Sequence, residues 1–261
     1  MATESVFQGS LFSTDFLQET ITRGADWQRI SDSDVAILAA NLRNIFSGFP
    51  VAQNPNESQT EDDLIWPVLA TLGWTASLRQ QNLAAKGRDD VPDGLLFQDA
   101  AAKAQANSFP EEFKRYGLGL AIVESKRWQR PLDRQSGRRG EETAPSTQML
   151  RYLRRVEDLT TGKLRWGILT NGCRWRLYYQ GARSVSEQFF ELDLAAVLAI
   201  PGHEGGLFAL PEAERLHWLR VFLLVFGREA FLPSPSDART FHQCAMDEGK
   251  FYEERVAGNL S

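Results

Sequence analysis

Two carboxylates and one lysine, Asp93, Glu124 and Lys126, have the types and spacing of a group that binds a divalent cation. Glu124 and Lys126 follow the apolar run 118–123, and residues two apart on a strand point to the same face. Asp93 opens an earlier apolar stretch, so its carboxylate lies beside Glu124 if the two strands are neighbours. Two adjacent carboxylates repel each other unless a cation joins them, and Mg²⁺ prefers oxygen ligands. Such an ion polarises a phosphate and acidifies a water, and Lys126 would position or deprotonate that water.

Each part of this pattern also has an ordinary structural interpretation. A Glu-x-Lys triplet is most often a solvated surface pair, and Pro92-Asp93-Gly94 alone is a common turn. The buried character of 118–123 favours the chemical interpretation, because a surface pair seldom follows six such residues. The two cysteines are far apart and the three histidines are scattered, so zinc-type spacings and a nucleophile–base pair are not indicated.

The elements that must position these residues follow from periodicity. We predict a helix over 32–49, and a second that begins at Thr60 as N-cap and ends at Gly73. Helical spacing also covers 146–159 and the chain from Pro211, and 98–116 reads as an exposed helix or loop. The predicted strands are 74–80, 93–97, 118–126, 166–170, 174–179 and 189–194. This order predicts a mixed α/β fold with a central sheet flanked by helices and a C-terminal helical extension.

The charge is unevenly distributed along the chain. The formal net charge is -5 and the pI about 5.4, which alone argues against a nucleic-acid partner. Arginines are nevertheless concentrated just after Glu124, between residues 126 and 155. This cluster can neutralise backbone phosphates. For 129–146, a solvated mobile loop is the equally weighted alternative.

At this point the sequence resembles the PD-(D/E)xK nuclease domains of type I restriction R subunits, and still more those of fused type IIG-like restriction–modification proteins. The matching segments span roughly residues 10–195. They are 56–65 with Pro67 and 72–74, Pro92-Asp93 with Glu124-Ser125-Lys126, Gln148-Met149-Leu150-Arg151-Tyr152, and 169–172 with Trp175 and 177–178.

The resemblance implies roles for these positions. Asp93, Glu124 and the backbone carbonyl of Ser125 would bind Mg²⁺, which Mn²⁺ can replace, and Lys126 would be the catalytic lysine. Glu57 would complete the site from its helix. Glu61 is the rival, one turn further along, although a first-turn acidic residue also has a plain helix-dipole explanation. The residues implied to contact DNA or support the site are Gln148, Tyr152, Arg127, Arg130 and Arg151. For Gln148 and Tyr152, a surface amide and core packing are the alternatives.

The resemblance further implies a restriction-endonuclease-like domain over 1–210 and a helical connector over 211–261. This connector would lead to methyltransferase and target-recognition domains in a longer parent protein. The expected activity is Mg²⁺-dependent endonucleolytic cleavage of double-stranded DNA in defence against foreign DNA, with a transient dimer forming on DNA. The alternatives are a decayed binding module of the same fold and a repair or recombination nuclease. No signal peptide or membrane span is evident, so we expect a cytoplasmic protein.

Overall fold

The computed structural model describes residues 6–203, 209–235 and 237–258 and contains a seven-stranded mixed sheet. Its strand order is β1-β7-β6-β5-β4-β3-β2, with β4 and β5 parallel and the other neighbours antiparallel. The strands are β1 Phe7–Gln8, β2 Ser77–Arg79, β3 Gly94–Leu96, β4 Ala121–Ser125, β5 Trp166–Thr170, β6 Arg174–Tyr179 and β7 Phe189–Asp193. The six predicted strands are confirmed, most with shorter bounds. β1 is not predicted, because two residues carry no periodicity.

Helices cover both faces of the sheet. They are α1 Thr14–Gln18, α2 Ala25–Arg29, α3 Asp32–Gly48, α4 Glu57–Thr60, α5 Trp66–Thr71, α6 Ala100–Asn107, α7 Glu112–Arg115, α8 Pro145–Thr160, α9 Leu194–Val197, α10 Glu212–Phe226 and α11 Phe241–Gly258. The predicted helices at 32–49 and 146–159 are confirmed as α3 and α8. The mixed α/β class and the central sheet flanked by helices are also confirmed.

Strand alternation sends neighbouring residues of β4 into two separate cores. Val123 packs in a large core with α3, α5 and α10, whereas Ile122 packs in a smaller core with α8. Glu124 lies two residues after Ile122 and therefore points to the α8 face. α8 contributes Met149, Leu153 and Val156 to that smaller core and packs on β5, the strand beside β4.

The long insertion between β3 and β4 does not separate the two strands. Residues 97–120 form α6 and α7 and then return, so that Gly94 pairs with Val123 and Leu96 with Ala121. The predicted neighbourhood of these two strands is therefore confirmed.

The helix that carries Glu57 begins one turn earlier than predicted. Asn56 is its N-cap and forms a capping box with Gln59, so Thr60 is a helical residue and the prediction of Thr60 as N-cap is wrong. The helix continues through a π-helical turn, Glu61–Ile65, into α5. The Thr60 hydroxyl instead accepts the Trp128 N–H at 2.9 Å, which ties this helix to the chain just after β4. A reciprocal pair of capping bonds satisfies two free N–H groups, which explains why Asn56 takes the cap position.

The C-terminal helices belong to the same packed body as the sheet. Trp218, Phe222 and Phe226 of α10 lie in one core with Trp175 and Phe190. The predicted boundary after residue 210 therefore does not divide two hydrophobic cores. The function of 211–261 as a connector stays a prediction.

One segment of the described chain, Asp32–Gln53, is long and apolar enough to cross a membrane by length and composition. It contains α3, whose Val35, Leu42 and Phe46 are buried in the large core. One face of this segment therefore packs against the large core, and the cytoplasmic location stays a prediction.

Candidate active site

Asp93 and Glu124 face each other across the paired ends of β3 and β4. Asp93 directly precedes β3, whose Gly94 is paired with Val123 of the antiparallel strand β4. Continuing this register by one residue places Asp93 opposite Glu124. The Asp93 Oδ2 accepts the Ser125 N–H at 2.7 Å, which fixes its carboxylate beside β4. The structure thus brings together the two carboxylates that the sequence analysis singled out.

Lys126 completes this group from the end of β4. Its backbone N–H donates to the Thr170 carbonyl at 2.8 Å, which extends the ladder to β5 by one residue. Its Nζ lies 2.5 Å from Glu124 Oε1, and both side chains are buried, with 5% and 2% of their surface exposed. Glu124 and Lys126 therefore point the same way, as expected for positions two apart.

A negative charge on Asp93 is poorly tolerated without a bound cation. Burial raises its pKa to about 8, and the nearby Glu124 carboxylate contributes to this increase. The ammonium of Lys126 and the Ser125 N–H act in the opposite direction but do not outweigh burial. Without a cation, the folded protein therefore favours the protonated form of Asp93.

The charges on Glu124 and Lys126 stabilise each other. Burial raises the pKa of Glu124, and the adjacent Lys126 ammonium counteracts this. Burial also disfavours the charge of Lys126, but the carboxylates of Glu124, Glu57 and Asp93 outweigh it and raise the lysine pKa. Lys126 is therefore a cation in this site rather than a neutral amine.

The oxygen atoms at this site fit a divalent cation that takes carboxylate, carbonyl and water ligands. Glu124 Oε2 is buried and has no hydrogen-bond partner among the described residues, an arrangement that costs free energy unless something binds it. No group of three His, Cys, Asp or Glu side chains is arranged to hold a metal in the described chain. Two carboxylates with a backbone carbonyl and waters suit Mg²⁺, which keeps several waters, and the Ser125 carbonyl stays a predicted ligand.

Glu57, rather than Glu61, lies next to the lysine. Glu57 Oε1 is 4.0 Å from Lys126 Nζ, and its Oε2 accepts the Arg127 N–H at 3.3 Å. Glu61 lies in the second turn of the helix, and its carboxylate accepts hydrogen bonds from the Trp66 indole and from Arg79. The Glu61 carboxylate also contributes to the raised pKa of Asp93, so it stays a rival to Glu57 for completing the site.

Gln148 and Tyr152 face the site from α8. The Gln148 amide donates to the Tyr152 hydroxyl at 2.8 Å. Tyr152 is buried, and burial together with the nearby Glu124 carboxylate raises its pKa. The structure therefore brings this pair to the carboxylates, and contact with DNA stays a prediction.

The three arginines expected to contact DNA or support the site are all held in ion pairs. Arg130 is buried, with its guanidinium 3.8 Å from Glu57 and 3.5 Å from Glu141. Arg127 pairs with Glu141 at 2.9 Å, and Arg151 pairs with the buried Asp90 at 3.0 Å. This geometry favours site support over DNA contact, most clearly for Arg130.

Two acidic residues that sequence reasoning missed hold these arginines. Glu141 pairs with Arg127 and Arg130. Burial acts against its charge, but hydrogen bonds from Arg127 and Ser136 and the charges of the two guanidiniums outweigh burial and lower its pKa to about 2. Asp90 forms ion pairs with Arg151 and Arg155 of α8. These pairs hold α8 against the loop that leads to Asp93. Neither residue belongs to a periodic pattern or a motif, so no signal in the sequence marks them.

Comparison with protein-family models, curated proteins and solved structures gave no match. The chemistry of the site is therefore inferred from its own side chains.

Proposed function

We propose that this chain is a Mg²⁺-dependent endonuclease that hydrolyses phosphodiester bonds of double-stranded DNA. The observation that carries this proposal is the convergence of Asp93, Glu124 and Lys126 on one buried group, in which one Glu124 oxygen has no hydrogen-bond partner among the residues that the structure describes. A structural ion pair needs one carboxylate for one lysine, whereas this site has a second carboxylate whose pKa is raised to about 8. Such an excess of acidic groups is typical of a site that binds a cation.

Asp93, Glu124 and the Ser125 carbonyl are the groups that would hold the ion. A bound Mg²⁺ supplies charge that polarises the phosphate and lowers the pKa of a water. The protein contributes a fixed geometry, because the Ser125 N–H orients Asp93 and the Lys126 ammonium orients Glu124.

Lys126 acts in this proposal as a hydrogen-bond donor and a positive charge. Its pKa is raised by the surrounding carboxylates in the metal-free protein, which favours the ammonium over the neutral amine that would deprotonate the attacking water. Its ammonium would instead orient that water and stabilise the negative charge that develops on the phosphate oxygens. Glu57 would help to position Lys126, and Tyr152, hydrogen-bonded to Gln148, would lie near Glu124 on the α8 side.

We further propose that the fold is restriction-endonuclease-like and that the chain is the cleavage part of a restriction–modification protein. The support is the antiparallel β3–β4 pair that carries Asp93 and Glu124, the β4–β5 parallel pair, and α8 with Gln148 and Tyr152 above them. Methyltransferase and target-recognition domains would then supply sequence specificity from elsewhere in the parent protein.

Cleavage of supercoiled plasmid tests the proposed function. The assay contains Mg²⁺ at roughly 5–10 mM, so that a weak Mg²⁺ site is filled. We expect nicking that requires Mg²⁺ or Mn²⁺ and falls by about 10²-fold or more in Lys126→Ala, since one stabilising donor is worth that much. Lys163→Ala is the matched control, because Lys163 is exposed in the turn after α8. DNA binding without metal-dependent nicking would refute the nuclease and favour the decayed binding module.

A further inference from the structure

The segment between β4 and α8 forms a folded tip beside the site. We call residues 134–140 the basic tip. The Ser136 N–H donates to the Glu141 carbonyl at 3.0 Å, and the Glu141 N–H donates to the Arg138 carbonyl at 3.0 Å, so the chain turns back on itself. The Gly140 N–H donates to the Glu142 carboxylate at 3.0 Å. The tip is therefore a hydrogen-bonded turn whose residues are nearly all exposed to solvent, and the solvated mobile loop stays an alternative for 129–146.

The base of the tip is anchored in the protein at both ends. On the entering side, Leu132 is buried in the smaller core and its carbonyl accepts the Ser146 N–H at 2.9 Å. Asp133 forms a bidentate pair with the buried Arg176, at 2.7 and 2.8 Å. On the leaving side, Glu141 is held by Arg127 and Arg130. The base of the tip is thus fixed in the protein, so less conformational entropy is lost when the tip binds a ligand.

The arginines of the tip differ from those at its base. Arg134, Arg138 and Arg139 are exposed, and no ion pair to their side chains is found within the described ranges. Arg127, Arg130 and Arg151 already have carboxylate partners. A DNA phosphate must compete with a protein carboxylate for the arginines at the base. It meets no such competitor among the described residues at the three arginines of the tip.

The base of the tip is connected to the lysine of the site through ion pairs. A continuous chain of ion pairs runs from Lys126 to Glu57, on to Arg130, and then to Glu141 at the base of the tip. The consecutive separations are 4.0, 3.8 and 3.5 Å. A nucleic acid with one phosphate at the site would therefore have neighbouring phosphates within reach of the tip.

We infer that the basic tip binds the sugar–phosphate backbone of double-stranded DNA beside the scissile phosphate, through Arg134, Arg138 and Arg139. This inference rests on the proposed function. It assigns the sequence-independent part of the affinity to these three residues rather than to Arg127, Arg130 and Arg151. Contacts with phosphates position a protein on DNA without reading its sequence, which agrees with a cleavage part that takes its specificity from elsewhere.

The salt dependence of DNA binding tests this inference without any cleavage. Binding of a fluorescent duplex of arbitrary sequence is measured by anisotropy in EDTA over a range of KCl concentrations. We expect the triple variant Arg134→Ala/Arg138→Ala/Arg139→Ala to flatten the plot of log K against log salt by about 2–3, since each phosphate contact contributes about 0.9. Replacing the same three residues by lysine should restore most of the slope, because the positive charges are retained.

The matched control changes the net charge equally at other exposed arginines. Arg23→Ala/Arg43→Ala/Arg183→Ala removes arginines that follow α1, lie on α3 and lie between β6 and β7. We expect this control to keep the wild-type slope. Equal losses in the two triple variants would overturn the inference, as would no duplex binding by the wild type or binding to anionic vesicles alone. If the wild type bound DNA with a salt slope that depends on the tip arginines and yet failed to nick plasmid with Mg²⁺, that result would refute the proposed nuclease but leave the tip as a DNA-binding element.

Discussion

The carboxyl group of Asp93 stands where a negative charge is hardest to keep. Burial and the neighbouring Glu124 raise its pKa to about 8, while the Ser125 N–H holds it in place. The metal-free protein thus holds an arrangement that is unfavourable for folding. Sites that trade stability for function in this way are expected where a ligand supplies the missing charge.

Removing this charge should stabilise the metal-free protein. The folded pKa of Asp93 lies above its unfolded value of 3.8, so the folded state binds more protons between these values and loses stability as the pH rises toward 8. Asp93→Asn keeps an acceptor for the Ser125 N–H and does not titrate. We expect it to raise the free energy of unfolding in EDTA by about 1–2 kcal/mol at pH 8, and by less at pH 5, as measured by urea denaturation. An unchanged or lower stability at pH 8 would contradict this account of Asp93.

At the scale of elements, strand alternation explains why the centre of the site could be predicted. Glu124 and Lys126 share a face because they are two apart on a strand, and the apolar run before them marks that strand as buried. The role of Glu57 came from the resemblance and not from periodicity, and the cap was misplaced because both Asn56 and Thr60 are good N-cap residues. Asp90 and Glu141 could not be found, since Asp90 meets Arg155 across 65 residues of sequence and no period links such positions.

The link between the Glu57 helix and the end of β4 depends on one buried hydroxyl. Thr60 Oγ1 accepts the N–H of Trp128, and both residues are buried. Thr60→Val has nearly the same shape but leaves that N–H without an acceptor. We expect a loss of about 1–3 kcal/mol in the free energy of unfolding, measured by denaturation, whereas Thr147→Val on the exposed side of α8 should change it little. Equal changes in the free energy of unfolding in Thr60→Val and Thr147→Val would show that this hydrogen bond does not stabilise the fold.

At the scale of the whole molecule, the C-terminal helices stabilise the sheet as well as extending it. His242 of α11 is fully buried, its Nε2 donates to the Val225 carbonyl at 2.8 Å, and its ring contacts Trp166 at a centroid distance of 4.4 Å. A single residue therefore joins α11, α10 and β5. The sequence predicted helices here, but their docking depends on contacts between distant segments that no local pattern encodes.

His242 should make the stability of the whole fold sensitive to acid. Burial lowers its pKa to about 4 from 6.5, so the unfolded state binds the proton first and stability falls as the pH drops through this range. We expect this residue to account for a loss of about 2 kcal/mol between pH 7 and pH 5. Urea denaturation gives the change in the free energy of unfolding between pH 7 and pH 5 for the wild type and for His242→Phe. The difference between these two changes is the contribution of His242. Identical pH effects in both proteins would contradict the burial of His242.

The most direct test of the central claim is binding of Mn²⁺ at pH 8, followed by electron paramagnetic resonance of the free ion. If Asp93 and Glu124 share one divalent cation beside Lys126, the wild type should bind Mn²⁺, with Mg²⁺ competing. Asp93→Asn/Glu124→Gln should lose this binding, while Asp63→Asn, which changes an exposed carboxylate on the Glu57 helix, should keep it. Binding of Mn²⁺ that is equal in the wild type and the double variant, or absent from both, would contradict the account.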